Sequence, residues 1–143
     1  MQSNKRKGFL KSLAMLGLGL GLGLGMNASH AAGEKFVLIS HAPDSDSWWN
    51  TIKNSVKQAG EDFNVSVDYR NPPNGDLADM ARLVEQSAAR NYDGVIVSIA
   101  DFSVLQKPLG LVAAKKIPFV TINSGTLAQS EQLGAVMHVG QPE

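Results

Sequence analysis

The sequence of 143 residues contains no cysteine. Disulfide bonds, thiolate metal sites and a cysteine nucleophile are therefore excluded, as is the lipid-attachment cysteine that tethers many exported proteins to a membrane. His41 and His138 belong to no cluster of histidine and acidic residues at metal-ligand spacing on one element. We accordingly expect no metal ion, no other cofactor and no catalytic histidine.

The short motifs of common enzyme classes are also missing. The sequence has no G-x-S-x-G turn for a serine nucleophile and no G-x-x-x-x-G-K-[ST] loop for nucleotide phosphates. Its glycine repeat, at residues 17–25, does not follow a predicted strand, as a dinucleotide-binding fingerprint would. The sequence therefore predicts that the protein is not an enzyme.

Basic residues become scarce after the first few positions. The chain has 13 basic and 13 acidic residues, but Lys5, Arg6, Lys7 and Lys11 all precede the first acidic residue. The body of the chain is therefore mildly acidic, and it has no basic stripe. Because phosphate backbones are bound mainly by clustered lysine and arginine, this charge pattern argues against a nucleic-acid partner.

No apolar run is long enough to span a membrane. The longest, residues 13–26, is shorter than the roughly 20 residues that a span needs and is diluted by alternating glycines. It follows a cationic start and precedes small residues ending at Ala31, as in a cleavable signal peptide. We predict a signal peptide at residues 1–31 and a soluble exported chain at residues 32–143, with the general secretory and twin-arginine routes both open.

Beyond the predicted signal peptide, short apolar runs alternate with segments of helical periodicity. Five runs predict β-strands, at residues 36–39, 65–69, 95–99, 119–122 and 136–139. The segments between the first four strands predict three helices, and residues 125–131 predict a loop with a helical turn. Strands that alternate with helices form parallel sheets covered on both faces, so the predicted fold class is α/β with a doubly wound parallel sheet.

Capping signals mark the starts of the three helices. Asp46 or Ser47 is placed to cap the first helix, and Asp101 lies near the start of the third. The second helix opens at Asp76, with Asp79 three residues later as in a capping box. Pro108, within the third helix, predicts a kink there.

Polar residues follow the predicted strands. Ligands of an open parallel sheet bind beyond the carboxyl ends of the strands, where loops and helix N-termini present unpaired donors. Sugars need directional hydrogen bonds from carboxylates, amides and guanidinium groups, because each hydroxyl both donates and accepts. The residues that supply these groups are Asp46, Arg70, Asp101, Asn123 and Gln141. The aspartates also fit simple helix caps, Arg70 a surface charge and Asn123 a turn residue.

Trp48 and Trp49 stand at the start of the first helix. A sugar ring stacks its apolar face on an aromatic plane, whereas tryptophans at helical spacing are commonly core anchors. Neighbouring helical residues point about 100° apart. We therefore expect one indole to enter the core and the other to face a ligand.

Residues 35–39 followed by residues 48–54 resemble the opening of the type I periplasmic sugar-binding proteins. Residues 91–97 and 116–123 are similar to later strands of that family, and the likeness extends over residues 34–143. It implies the first lobe of a two-lobed fold, with the second lobe absent and the domain incomplete. Trp48 and Trp49 match the family's aromatic pair, and Asp46 matches the polar residue two positions before it.

Asn123 and Ser124 stand where the ribose-binding members of the family have an acidic-basic pair. The loss of two charged groups makes ribose itself doubtful and favours another sugar, a polyol or a cyclitol. The resemblance implies a monomeric solute-binding component of an ABC importer, which delivers its ligand to the inner-membrane permease. Two alternatives remain open: a sensor that presents a bound sugar to a chemoreceptor or kinase, and a flavodoxin-like enzyme.

Overall fold

The computed structural model describes residues 33–140, so the predicted signal peptide and Gln141 lie outside the described residues. Strands and helices alternate throughout this range. No helix within it is long and apolar enough to cross a membrane. The elements are β1 (Lys35–Ile39), α1 (Ser47–Phe63), β2 (Ser66–Arg70), α2 (Leu77–Ala89), β3 (Gly94–Val97), α3 (Phe102–Ala114), β4 (Phe119–Ile122), α4 (Leu127–Leu133) and β5 (His138–Val139).

The five strands form one parallel sheet in the order β2-β1-β3-β4-β5, which confirms the predicted fold class. The chain builds the sheet in one direction from β1 to β2 and in the other from β3 to β5. β1 therefore pairs on both sides, and its last residue, Ile39, is in register with Arg70 of β2 and Val97 of β3. The order reverses between β1 and β3, and such switch points create a crevice at the carboxyl ends of the strands.

Alternation of apolar residues along the strands creates two cores, one on each face of the sheet. The larger core packs α2, α3 and Leu133 of α4 against one face, and its fully buried members include Val37, Met80 and Leu109. The smaller core packs Trp49 of α1 against Leu38 on the opposite face. Both faces therefore carry helices, as the alternating pattern predicted.

The α1 face is covered less completely than the other. An apolar groove of about 370 Å³ lies there over the amino-terminal parts of the strands. Its lining includes Phe36, Val67, Ile96, Val120 and Val136. This groove lies away from the polar carboxyl edge, so it is a separate feature from the candidate site described below.

The three predicted aspartate caps are all present. Asp46, Asp76 and Asp101 each accept a hydrogen bond from a backbone N–H three residues later, at 3.0, 2.8 and 3.1 Å. The capping box expected at α2 is only half formed, because the Asp79 carboxylate pairs with Arg82 and makes no return bond to the cap within residues 33–140. The caps satisfy amide groups that helix geometry leaves unpaired.

Two elements differ from their predicted form. Residues 127–133 form a helix rather than a single turn, closed at its start by a complete capping box between Thr126 and Gln129 and at its end by Gly134 in the left-handed conformation (φ 82°). The last strand shortens to two residues, His138 and Val139, although the backbone N–H of Val136 also donates to the Phe119 carbonyl of β4 at 2.8 Å. Pro108 lies inside α3, which is assigned as a single helix from Phe102 to Ala114, and it is among the buried residues of that helix.

A chain of hydroxyl groups joins β4, α4 and β5. The fully buried Thr121 has its Oγ1 atom 2.6 Å from Ser130 Oγ and 2.8 Å from His138 Nδ1. Ser130 Oγ also donates to the Thr126 carbonyl at 3.0 Å, and Thr121 Oγ1 lies 3.5 Å from the Met137 carbonyl. These contacts tie the short final strand to α4 and to the sheet.

Thr121→Val is expected to lower the free energy of unfolding by about 1–3 kcal/mol, because the change keeps the shape of the side chain but leaves buried polar partners unpaired. Urea unfolding monitored by circular dichroism measures the difference. Thr51→Val is the matched control, since the Thr51 side chain is exposed on α1 and makes only a 3.4 Å contact with a carbonyl. Equal stability of the two variants would contradict the stabilising role of the hydroxyl chain.

Candidate functional site

The carboxyl edge of the sheet is formed by the residues that directly follow the strands. Backbone bonds extend the ladder by one step there, from Ser40 N to Arg70 O at 3.0 Å and from Ser98 N to Ile39 O at 3.2 Å. A further bond, from Asn123 N to Val139 O at 2.9 Å, does the same beside β5. The first polar residues after the strands are therefore held at fixed positions along one edge.

Asn71 fixes the loop that connects β1 to α1. Its Nδ2 donates to the Ala42 carbonyl at 2.9 Å and to Asp44 Oδ1 at 2.9 Å. The Asp44 N–H in turn donates to the Pro73 carbonyl at 3.1 Å, so the loops after β1 and β2 support each other. This support holds Asp46 and the first turn of α1 at the edge of the sheet.

The two tryptophans divide as expected between core and surface. Trp49 is 4% exposed and packs beside Leu38 and Ala42, whereas Trp48 is 52% exposed. The indole rings meet edge to face, with centroids 5.1 Å apart. The buried ring thus supports the exposed one, which presents apolar surface at the start of α1. Contact between Trp48 and a ligand remains a prediction.

His41 and Ser98 meet at the switch point. His41 follows β1, Ser98 follows β3, and Nδ1 of the imidazole lies 2.9 Å from the serine Oγ. The imidazole also packs edge to face on Trp49, with ring centroids 5.6 Å apart. Burial lowers the pKa of His41 below its ordinary value of 6.5, an effect that the nearby Asp46 carboxylate opposes without reversing. The imidazole is therefore neutral at pH 7.

A second hydroxyl pair lies on the β2 side of the same edge. Ser40 Oγ and the Tyr69 hydroxyl are 2.8 Å apart, and either can donate. Burial raises the pKa of Tyr69 above its ordinary value, and the carboxylates of Asp46 and Asp44 act in the same direction, against the hydrogen bond from Ser40. The edge near β1 thus presents neutral groups that both donate and accept hydrogen bonds.

The candidate ligand-binding residues that follow β3 and β4, Asp101 and Asn123, already form hydrogen bonds within the protein. Asp101 caps α3 and accepts from Ser103 Oγ at 2.6 Å, and these hydrogen bonds hold its pKa below the ordinary range. Asn123 adopts a left-handed conformation (φ 62°), and its Oδ1 accepts from Ser124 Oγ at 2.9 Å. Both residues lie at the edge, and their side-chain oxygen atoms can accept further hydrogen bonds. Asp101 can therefore cap α3 and Asn123 can shape its turn while either residue also binds a ligand.

Arg70 is the last residue of the edge strand β2 and is partly buried. Its side chain forms no ion pair or hydrogen bond with another of residues 33–140, which agrees with the alternative of a surface charge. Gln141 lies outside the described residues. Asp46, Trp48, Arg70, Asp101, Asn123 and Ser124 therefore all lie at the carboxyl edge, and their contact with a ligand stays a prediction.

Sequence reasoning did not select His41, Ser98, Asn71 or Tyr69 as site residues. His41 comes two residues after β1 and Asn71 directly follows β2, which was a usable signal. Their partners are 57 residues away for His41 and 27 to 29 residues away for Asn71. Only the pairing of β1 with β2 and β3 brings those partners together. The strand register was the missing information.

The edge combines one exposed indole with hydroxyl, imidazole, amide and carboxylate groups. Among residues 33–140 no group of three or more histidine, aspartate or glutamate side chains could hold a metal ion. Directional hydrogen-bonding groups beside an aromatic surface are typical of sites for small polar ligands. The fold is that of one α/β lobe, and its carboxyl edge is a candidate site for a small polar ligand.

The chain belongs to the periplasmic binding protein domain family, whose model matches residues 36–142. This membership confirms the resemblance to periplasmic binding proteins, and it agrees with the prediction that the protein is not an enzyme. The matched range begins at Phe36, the second residue of β1, and covers every later element.

Solved structures support the same class. A carbohydrate transporter from Acidothermus cellulolyticus 11B, in complex with myo-inositol, is 28% identical with a TM-score of 0.69 over 74% of this chain. AraP, an arabinose binding protein from Geobacillus stearothermophilus, is 27% identical with a TM-score of 0.58 over 64%. GanP, a glucose-galactose binding protein from the same organism, shares the fold at 22% identity, with a TM-score of 0.69 over 76%.

This chain spans 36% of the Acidothermus protein, 31% of AraP and 37% of GanP. The likeness therefore concerns about one third of each relative, as expected for the first lobe of a two-lobed fold. A search among curated proteins gave no match.

Proposed function

We propose that the chain supplies the first lobe of the solute-binding component of an ABC importer, and that its carboxyl edge binds a sugar or polyol. The observation that carries this proposal is the exposure of Trp48 at that edge, beside the buried Trp49 and the polar residues that follow β1, β3 and β4. The indole supplies a stacking surface, and the polar groups supply directional hydrogen bonds.

The ligand we propose is uncharged. Asn123 and Ser124 bind each other through neutral groups, and the hydroxyls of Ser40 and Tyr69 add no charge to the edge. Sugars and cyclitols offer hydroxyls that pair with such groups in either direction. The myo-inositol complex of the 28% identical transporter makes that cyclitol a rational first probe.

The location and partners follow from the same proposal. Residues 1–31 direct export to the periplasm, and the chain acts as a monomer that presents its ligand to an inner-membrane permease. Deleting that permease separates import from sensing. Loss of ligand uptake supports import, whereas normal uptake with a preserved transcriptional or chemotactic response would support the sensor alternative.

Ligand-dependent stabilisation tests the binding proposal directly. The purified protein is heated with myo-inositol, D-glucose, D-galactose or L-arabinose at millimolar concentration, and the unfolding temperature is recorded. At a ligand concentration 100 times Kd, binding to the folded state adds about 2.7 kcal/mol to stability, enough to raise the unfolding temperature by several degrees.

The Trp48→Ala variant is the control for this experiment, because it experiences the same general cosolvent effect but lacks the stacking surface. A ligand-dependent rise in unfolding temperature that is present in the unaltered protein and absent in Trp48→Ala supports binding at the edge. The same small shift with every compound in both proteins, or none in either, would overturn the proposed function.

A further inference from the structure

The switch point of the sheet is bridged by one side-chain pair. β1 and β3 are neighbours although the chain visits β2 between them, and the crevice above this junction is where open α/β sheets receive ligands. His41 Nδ1 and Ser98 Oγ are joined across it at 2.9 Å. The two residues thus lie at the centre of the proposed binding edge.

The imidazole of His41 is held in place from two directions. Ser98 is fully buried and fixes one nitrogen, while Trp49, itself buried, contacts the ring edge to face at 5.6 Å. A side chain fixed in this way loses little conformational freedom when a ligand arrives. The ring is preorganised rather than mobile.

The other nitrogen of the ring remains available. Nε2 of His41 has no hydrogen-bond partner within residues 33–140, and it is absent from the buried unpaired atoms of this range, so it is open to solvent. The Ser98 hydroxyl can donate to Nδ1 or accept from it, and each choice assigns the opposite role to Nε2. Nε2 can therefore either donate to a hydroxyl group or accept from one.

We propose that His41 is a ligand-binding residue, and that its Nε2, positioned by Ser98, forms a hydrogen bond with a hydroxyl group of a bound uncharged sugar or polyol. This inference rests on the proposed function and adds a specificity-determining contact to it. Ser98 is a positioning residue that acts through the imidazole.

Two amide substitutions separate this role from a purely structural one. Asparagine places its terminal group near the Nδ1 position, so His41→Asn keeps the bond to Ser98 and loses the contact from Nε2. Glutamine reaches the Nε2 position, so His41→Gln keeps a group for the ligand and loses the bond to Ser98. We expect His41→Asn to raise Kd about 10- to 100-fold and His41→Gln to raise it only a few-fold.

Isothermal titration calorimetry measures Kd for whichever of the four probes, myo-inositol, D-glucose, D-galactose or L-arabinose, stabilises the unaltered protein. Ser98→Ala should raise Kd a few-fold by releasing the ring. If the unaltered protein binds a probe and folded His41→Asn binds it equally well, the inference fails and the proposed function stands. If the unaltered protein binds none of the probes, the proposed function fails, and this inference fails with it.

Imidazole ¹⁵N resonances of the unaltered protein provide a test that does not depend on the folding of variants. Ligand addition should move the His41 Nε2 resonance more than that of His138 Nε2, since His138 follows β4 in the sheet and bonds Thr121 rather than Ser98 at the switch point. An unmoved His41 Nε2 resonance at saturating ligand would overturn the inference.

Discussion

Trp49→Ala is expected to lower the free energy of unfolding by about 3–5 kcal/mol, whereas Trp48→Ala is expected to change it by about 1 kcal/mol or less. Trp49 is 4% exposed and fills the core between α1 and the sheet, so its loss leaves a cavity. Trp48 is 52% exposed, and its removal costs mainly the edge-to-face contact with its neighbour. Urea unfolding of both variants measures the difference.

Ligand affinity should show the reverse order. Trp48→Ala removes the proposed stacking surface and is expected to raise Kd about 10- to 100-fold, which corresponds to about 1.4–2.8 kcal/mol. Trp49→Phe, which keeps an aromatic ring in the core, is the matched variant and should retain most of the affinity. Unchanged affinity in Trp48→Ala would remove the aromatic wall from the proposed site.

Gly125→Ala is expected to lower the free energy of unfolding by about 2–4 kcal/mol, the second large effect. Gly125 has φ +92°, which side-chain-bearing residues rarely adopt, and a Cβ atom there would lie 2.7 Å from Ile99 Cβ. Backbone strain and overpacking each cost about 1–3 kcal/mol. Because the Ile99 N–H donates to the Ser124 carbonyl at 3.1 Å, the change should also displace the neighbouring edge of the site.

Substitutions at two further glycines separate the effects of backbone strain and overpacking on the free energy of unfolding. Gly134 has a similar φ of +82° with nothing within 4 Å of a Cβ, so Gly134→Ala reports the backbone strain alone, about 1–2 kcal/mol. Gly110 lies inside α3 with an ordinary backbone and open space, so Gly110→Ala should stabilise the protein by about 0.5–1 kcal/mol. Equal losses at Gly125 and Gly134 would show that the clash with Ile99 is relieved by relaxation.

Local chemistry carried much of the fold prediction. The apolar run at residues 119–122 coincides with β4, because a buried strand needs consecutive apolar residues whatever its neighbours are. Asp46, Asp76 and Asp101 cap their helices as predicted, because a cap is satisfied within three residues of the chain. The division between Trp48 and Trp49 likewise follows from the 100° step of a single helix.

The predictions for α4 and for the last strand were wrong in part, because contacts between residues far apart in the chain contribute to both elements. The seven-residue α4 has too few turns for a periodic signal, and besides its own caps it is held by the hydrogen bond between Thr121 and Ser130. The last strand is in register with only two residues of β4, Thr121 and Ile122. Its register depends on a strand that precedes it by a whole helix, which its own apolar residues do not encode.

The candidate site likewise has features that depend on neighbouring residues and features that depend on strand pairing. The order of residue types along the chain was sufficient for the α/β class, the helix caps and the polar character of the strand ends, because each depends on neighbours a few positions away. The meeting of His41 with Ser98 and of Ser40 with Tyr69 was decided only in the folded sheet, by strand order and register. Parallel pairing joins residues separated by a whole helix, and no short stretch of sequence encodes which strand will lie beside which.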